Sequence, residues 1–280
     1  MNNNTKKRVR KSKLHNKHTE NTVNNENSDD IKEDVKKKKE EKIVVKPQVQ
    51  AGVDKMLAKG RRYFGSSGAS LTHETHGDGE SGFGHKVVDI GLTGERKTTE
   101  MLKYWIKDKK NVALVDSVHL KAKNKGDSKE VSDGKDTDHV LIMGNTVVII
   151  DTKAWRKNYN YKISEKGRVL RGKRNFKGGV IGATGAVYIW RSFFPEADRI
   201  FAYVCIQAEG ASVAYNAEWK KSPYKLVAKD KLFESLDWAY DKAGGKDVEL
   251  NSEVLAKVIV SAVKPRDRLA EVLNDNRLSL

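Results

Sequence analysis

The chain has 280 residues, 54 of them Lys or Arg and 38 Asp or Glu, a formal net charge of +16. That length supports one sizeable domain with tails or two small ones, and that charge calls for an anionic partner, nucleic acid first and a membrane surface second, with a merely solubilising charge as the alternative. The single cysteine, Cys205, excludes an intrachain disulfide and fits a reducing, cytoplasmic compartment; no apolar run approaches the roughly 18 residues of a membrane span, and no apolar segment follows the basic N-terminus as a secretory signal requires.

Residues 1–46 hold 14 Lys or Arg and 8 Asp or Glu, a net +6. Stretches such as "KEDVKKKKEEK" bury too little apolar surface to offset chain entropy, so a disordered basic arm is expected, either touching nucleic acid non-specifically or simply solvated. Residues 47–86 read as a linker. In it "AGVDKMLAKGRRYF" can form a short helix and "GSSGASLTHETHGDGESGFGH" is a Gly/Ser-rich loop. His73, His76 and Asp78 invite a metal there, but no regular period fixes their geometry.

A folded domain is expected over 87–245. "TGERKTTEMLKYWIKDKK" reads as a helix with Thr93 as its N-cap. "NVALVDSVHL" is a strand, and "TDHVLIMGNTVVIIDTKAW" a hairpin turning at Gly144-Asn145, where glycine in first place suits a type II′ turn. "YKISEKGRVLRG" is a second, more polar hairpin. A helix rich in small residues ("KGGVIGATGAVYIWRSFF"), a buried strand ("RIFAYVCIQ") and a helix stopped by glycine ("KLFESLDWAYDKAGG") follow. Residues 246–280 read as a C-terminal helical extension, which leaves room for a homo-oligomer. The order predicts an α/β fold with a mixed sheet flanked by helices.

The first hairpin places charge where burial is costly. With Gly144-Asn145 as the loop, Ile142 faces Val147, Val140 faces Ile149 and Asp138 faces Asp151, and Lys153 shares that face. Opposed carboxylates repel by roughly 0.2–1 kcal/mol when exposed and more when buried. A divalent cation between them converts the repulsion into a binding site, and Mg²⁺ favours one or two carboxylates with water and phosphate oxygens. Lys153 could orient a water or stabilise phosphate charge. The alternative is a salt-bridged strand end, since Asp136 opposes Lys153 in the same register. On the preceding helix Met101, Leu102, Trp105 and Ile106 form an apolar stripe. Glu95 falls near it in the first turn, where the helix dipole alone favours a carboxylate.

"GERKTTEMLKYW", "TDHVLI" and "VVIIDTKAW", in that order, resemble the nuclease-related domain (NERD) family of the PD-(D/E)xK, restriction-endonuclease-like superfamily, over roughly residues 90–243. The resemblance implies a metal-dependent nuclease hydrolysing phosphodiester bonds of DNA. Asp138 and Asp151 would bind Mg²⁺ or Mn²⁺, the Thr152 carbonyl would add an oxygen, Lys153 would position the water, and Glu95 would orient the lysine or reach the metal through water. Two departures stand out. Asp151 occupies a place where the family more often has Glu, and "NFKGGVIGATGAV" lacks the Gln often found there, with Asn175 or Lys177 near its position. The basic run Arg168, Arg171, Lys173, Arg174 and Lys177 suits nucleic-acid phosphate contacts, and Trp155 and Tyr159 could stack on bases, against a solvated hairpin and core packing as the plain readings. Two rival functions remain open: a catalytically inactive nucleic-acid-binding module of the same fold, and a basic structural or interaction protein.

Overall fold

The computed structural model describes residues 45–67, 85–120, 135–172, 174–175 and 181–262. Residues 1–44 of the basic arm, the His73/His76/Asp78 set, Lys173 and Lys177 fall outside these residues, and Arg174 is described by its backbone alone. Among the described residues no helix is long and apolar enough to cross a membrane.

Helix α1 (Pro47–Ala58) leads into a short strand β1 (Tyr63–Phe64), helix α2 (His85–Ile106) and three antiparallel strands, β2 (Val112–Leu120), β3 (Lys135–Met143) and β4 (Thr146–Lys153). A small second sheet follows, β5 (Asn160–Ile163), β6 (Val169–Arg171) and β7 (Arg174–Asn175). Helix α3 (Ile181–Phe193) then crosses to β8 (Arg199–Ile206), which pairs parallel with β4. Strand β9 (Ser212–Val213), helix α4 (Ala217–Lys221), strand β10 (Lys225–Ala228), helix α5 (Leu232–Lys242) and helix α6 (Ser252–Ala262) complete the order. The main sheet runs β1-β2-β3-β4-β8-β10 and the smaller one β7-β6-β5-β9. The result is a mixed sheet flanked by helices, as the pattern predicts, with six strands.

Strand β4 lies inside the sheet, and its β-branched run suits burial on both faces. Against one face, Leu102 and Trp105 of α2 and Leu236 of α5 pack on Leu141, Val148 and Ile150. Against the other, Trp190 and Phe194 pack with Val140, Ile149, Tyr161 and Ile163. Val53 and Met56 of α1 and Val254, Leu255 and Val258 of α6 join that second core, so buried side chains come from both flanks of the 87–245 span.

The Gly144-Asn145 turn forms as expected, with Gly144 at φ +58° and no positive φ at Asn145, the type II′ pattern. The start of α2 differs. The helix begins at His85, so Thr93 lies inside it and is no N-cap. Gly94 is likewise an interior helix residue, at a point where helix and strand approach closely. A Cβ there would lie 3.1 Å from the Ala154 Cβ. Strands β1, β9 and β10 and helix α4 have two to five residues each, too few for periodicity to reveal.

Candidate active site

The predicted hairpin register holds, from Met143 opposite Thr146 to His139 opposite Ile150. The ladder stops one pair short of Asp138 and Asp151. There the Asp138 side chain replaces a backbone partner: the Thr152 N–H donates to Asp138 Oδ2 at 2.6 Å. Strand β2 also lets go at this level. Asp116 pairs with His139 and Val118 with Thr137, while Ser117 between them adopts φ +54°. A left-handed non-glycine residue costs on the order of 1–3 kcal/mol and persists only where its surroundings hold it. The Ser117 hydroxyl donates to the Ser66 carbonyl at 2.8 Å. Strand β3 is thus released on both sides at Asp138.

Lys153 Nζ donates to Asp151 Oδ1 at 2.7 Å. Burial works to lower the Lys153 pKa, but Asp151 and Asp138 together outweigh it and the net shift is upward. The side chain is therefore held as an ammonium. Asp138 is pushed up to about 8, first by burial, then by the charges of Asp151 and Glu95, against the opposing pull of Lys153 and His139. Glu95 is buried on α2, and its influence on both Asp138 and Lys153 places it with them at the strand end. The structure brings all four predicted residues together.

The donor set suits a hard cation. Asp138 Oδ1 and Asp151 Oδ2 make no hydrogen bond among the described residues, and burial beside like charge penalises an ionised Asp138 in the absence of a counterion. No group of three or more His, Cys, Asp or Glu is arranged to hold a metal among the described residues, so a cation here would complete its shell with backbone oxygen, water or substrate.

Other expectations divide. Asp136 bonds to His119 Nδ1 and not to Lys153, which removes the expected alternative salt bridge. Trp155 packs on Tyr161, with ring centroids 5.1 Å apart, and on the core, as the packing reading has it. The Tyr159 ring is covered by Arg171, whose guanidinium carbon sits 5.1 Å from the ring centroid. Arg168 is exposed. Cys205 is buried, and burial raises its thiol to about 12, which leaves it without thiolate reactivity.

Sequence reasoning missed a polar network on the reverse face of the same strands. Asp116, buried, accepts from Tyr63 Oη (3.1 Å) and Thr99 Oγ1 (2.7 Å) and binds His139 Nδ1 (2.8 Å). His139 Nε2 meets Thr152 Oγ1 at 3.0 Å, Thr152 Oγ1 donates to Thr98 Oγ1 at 3.1 Å, and Thr98 Oγ1 donates to the Gly94 carbonyl. Thr152 stands between Asp151 and Lys153, so this chain of bonds fixes the strand behind both. The available signal was the alternation itself: Asp116, His139 and Thr152 are polar residues each two positions from a buried apolar one, Leu114, Leu141 and Ile150.

An α/β domain with two carboxylates and a lysine gathered where its central strands part has the ingredients of a nuclease-type hydrolase. Residues 90–205 match the family model for the nuclease-related domain, NERD, a match consistent with the PD-(D/E)xK superfamily. Among solved structures the chain is similar to protein VC1899 from Vibrio cholerae, at 11% identity and a TM-score of 0.37, over 71% of this chain and 51% of that one. The chain thus spans about half the length of that protein. No curated protein matches.

Proposed function

We propose that the chain is a metal-dependent nuclease that hydrolyses phosphodiester bonds of DNA. The observation that carries this reading is the pairing of two carboxylates, each with an oxygen left open, with an ammonium 2.7 Å from one of them, inside a nuclease-related domain. Asp138 and Asp151 would hold Mg²⁺ or Mn²⁺, with the Thr152 carbonyl as a further oxygen. When bound, such a cation supplies positive charge to a phosphoryl oxygen and acidity to water. Lys153, kept protonated by its carboxylate neighbours, acts as a hydrogen-bond donor and a fixed charge and not as a base: it orients the attacking water and faces the charge that develops on phosphorus-bound oxygen. Glu95 holds that ammonium in place from α2. Asp138, through the Thr152 N–H, sets the backbone between Asp151 and Lys153.

The test is cleavage of plasmid and single-stranded DNA with Mg²⁺, Mn²⁺ or EDTA. Metal-dependent cleavage lost in Lys153→Ala supports the reading; equal cutting by both proteins rejects it. One observation favours a second reading, a binding module without activity: no group of three or more His, Cys, Asp or Glu is arranged to hold a metal among the described residues. That reading predicts DNA binding with no cleavage under any of these metals.

A further inference from the structure

A groove of about 500 Å³ opens beside the candidate site, lined by Arg96, Lys97, Glu100, Met101, Gln207 and Lys229. We infer that this groove binds the phosphates of a nucleic-acid strand next to the bond being cut. The inference rests on the proposed nuclease reading and adds a location for the strand.

Three observations carry it. First, the charge is one-sided. Arg96, Lys97 and Lys229 form no ion pair among the described residues, whereas Lys103, Lys109, Lys153, Lys231 and Lys257 each have a carboxylate. The one acid in the groove, Glu100, is taken by Lys103 at 3.0 Å. Three uncompensated cations in a concave wall focus potential on an anion.

Second, the groove is continuous with the site through the chain itself. Gln207, on its floor, donates its backbone N–H to the Lys153 carbonyl at 3.0 Å. Arg96 and Lys97 directly follow Glu95, so one turn of α2 turns a buried carboxylate inward and two exposed cations outward. The cations of α2 and the Asp151–Lys153 strand end are thus joined by one backbone hydrogen bond and by the residue Glu95.

Third, the lining is suited to phosphate and not to base edges. Lysine and arginine contacts to a backbone position it without reading sequence. The only carboxamide is Gln207, and its Nε2 faces Met101 Sδ at 3.3 Å and Cys205 Sγ at 3.9 Å. Sulfur is a weak acceptor, so this amide loses little by turning to a phosphate oxygen.

The groove is distinct from the basic hairpin, where Arg171 is occupied with Tyr159. Binding of fluorescein-labelled single-stranded DNA, followed by anisotropy from 50 to 300 mM KCl, separates them. Each phosphate contact on a single strand contributes about 0.7 to the slope of log K against log salt. The triple variant Arg96→Ala/Lys97→Ala/Lys229→Ala should bind at least about 10-fold more weakly at low salt and lose about 2 from the slope. The charge-keeping variant Arg96→Lys/Lys97→Arg/Lys229→Arg should bind near the wild-type level, and both should melt with the wild type by circular dichroism. An unchanged slope in the triple variant, with Arg168→Ala reducing it, overturns the groove and leaves the nuclease reading intact. Binding through the groove with no cleavage in any metal keeps the groove and removes the nuclease. A wild type that neither binds nor cleaves removes both. RNA of the same sequence, run in parallel, shows which nucleic acid supplies the phosphates.

Discussion

Strands β3 and β4 carry ionisable groups on both faces at the same level, and the two faces treat them in opposite ways. Toward α2, Asp116 is met by Tyr63, Thr99 and His139, and the bonds run on through Thr152 and Thr98 to a backbone carbonyl. Behind them, Asp138 and Asp151 share one lysine and one backbone N–H, and Asp138 is driven up to about 8. The sequence thus supplies enough hydroxyls to saturate one carboxylate in the interior and leaves two others short on the far side of the same strands. Saturated buried polar groups stiffen a scaffold, while undersatisfied carboxylates hold free energy that a cation can recover. The reverse face braces the strands, and the front face leaves two carboxylates short of partners.

The largest effects should separate these roles cleanly. Lys153→Ala should lower metal-dependent cleavage by at least about 100-fold, the scale of losing one preorganised charge donor, with little change in melting temperature. Asp116→Ala should do the reverse in kind: it strips His139, Tyr63 and Thr99 of a shared buried acceptor, and breaking such a pair costs about 3–5 kcal/mol. Urea denaturation reads this directly. A stable Asp116→Ala protein would mean that the network carries little structural weight, and the contrast between faces would collapse.

The front face was legible in the sequence because a tight turn fixes register, and register fixes which side chains share a face. Gly144-Asn145 was enough to place Asp138, Asp151 and Lys153 together, and the apolar stripe of α2 brought Glu95 to them. The reverse face was not legible for the same physical reason. Its partners, Tyr63, Thr98, Thr99 and Asp116, come from elements joined by no tight turn, so their convergence depends on helix docking and on the order β1-β2-β3. The groove likewise joins α2 to the residues after β8 and β10, which are distant in sequence. Two-residue strands and the interior position of Gly94 carry no periodic signal.

Proton competition gives a third, intermediate effect. The folded Asp138 pKa, about 8, lies above its ordinary value of 3.8. The folded state therefore keeps that proton longer than the unfolded chain does. This contribution to the stability of the metal-free protein is complete below about pH 4 and is lost as pH rises toward 8. A cation at the two carboxylates must displace the proton at pH 6 and need not at pH 9. The rise in melting temperature caused by Mn²⁺ should accordingly grow between these values, and Asp138→Asn should remove both the metal effect and the loss of metal-free stability. A metal-induced shift that is flat or shrinks with pH would detach the cation from Asp138.

The smallest effect probes the seam between the faces. Gly94→Ala adds a methyl 3.1 Å from Ala154 Cβ and 3.6 Å from Thr152 Cγ2. In an open helix the change would stabilise by about 1 kcal/mol. Here α2 must back away from β4 by a few tenths of an ångström, so gain and crowding nearly offset and stability should move by less than about 1 kcal/mol. Activity should respond more than stability does, because Glu95 rides on the next residue and the Thr98–Thr152 bond crosses the same seam. Comparing cleavage rate with melting temperature in this one variant asks whether the scaffold merely holds the site or sets its geometry. A rate that follows stability alone would assign α2 only the first role.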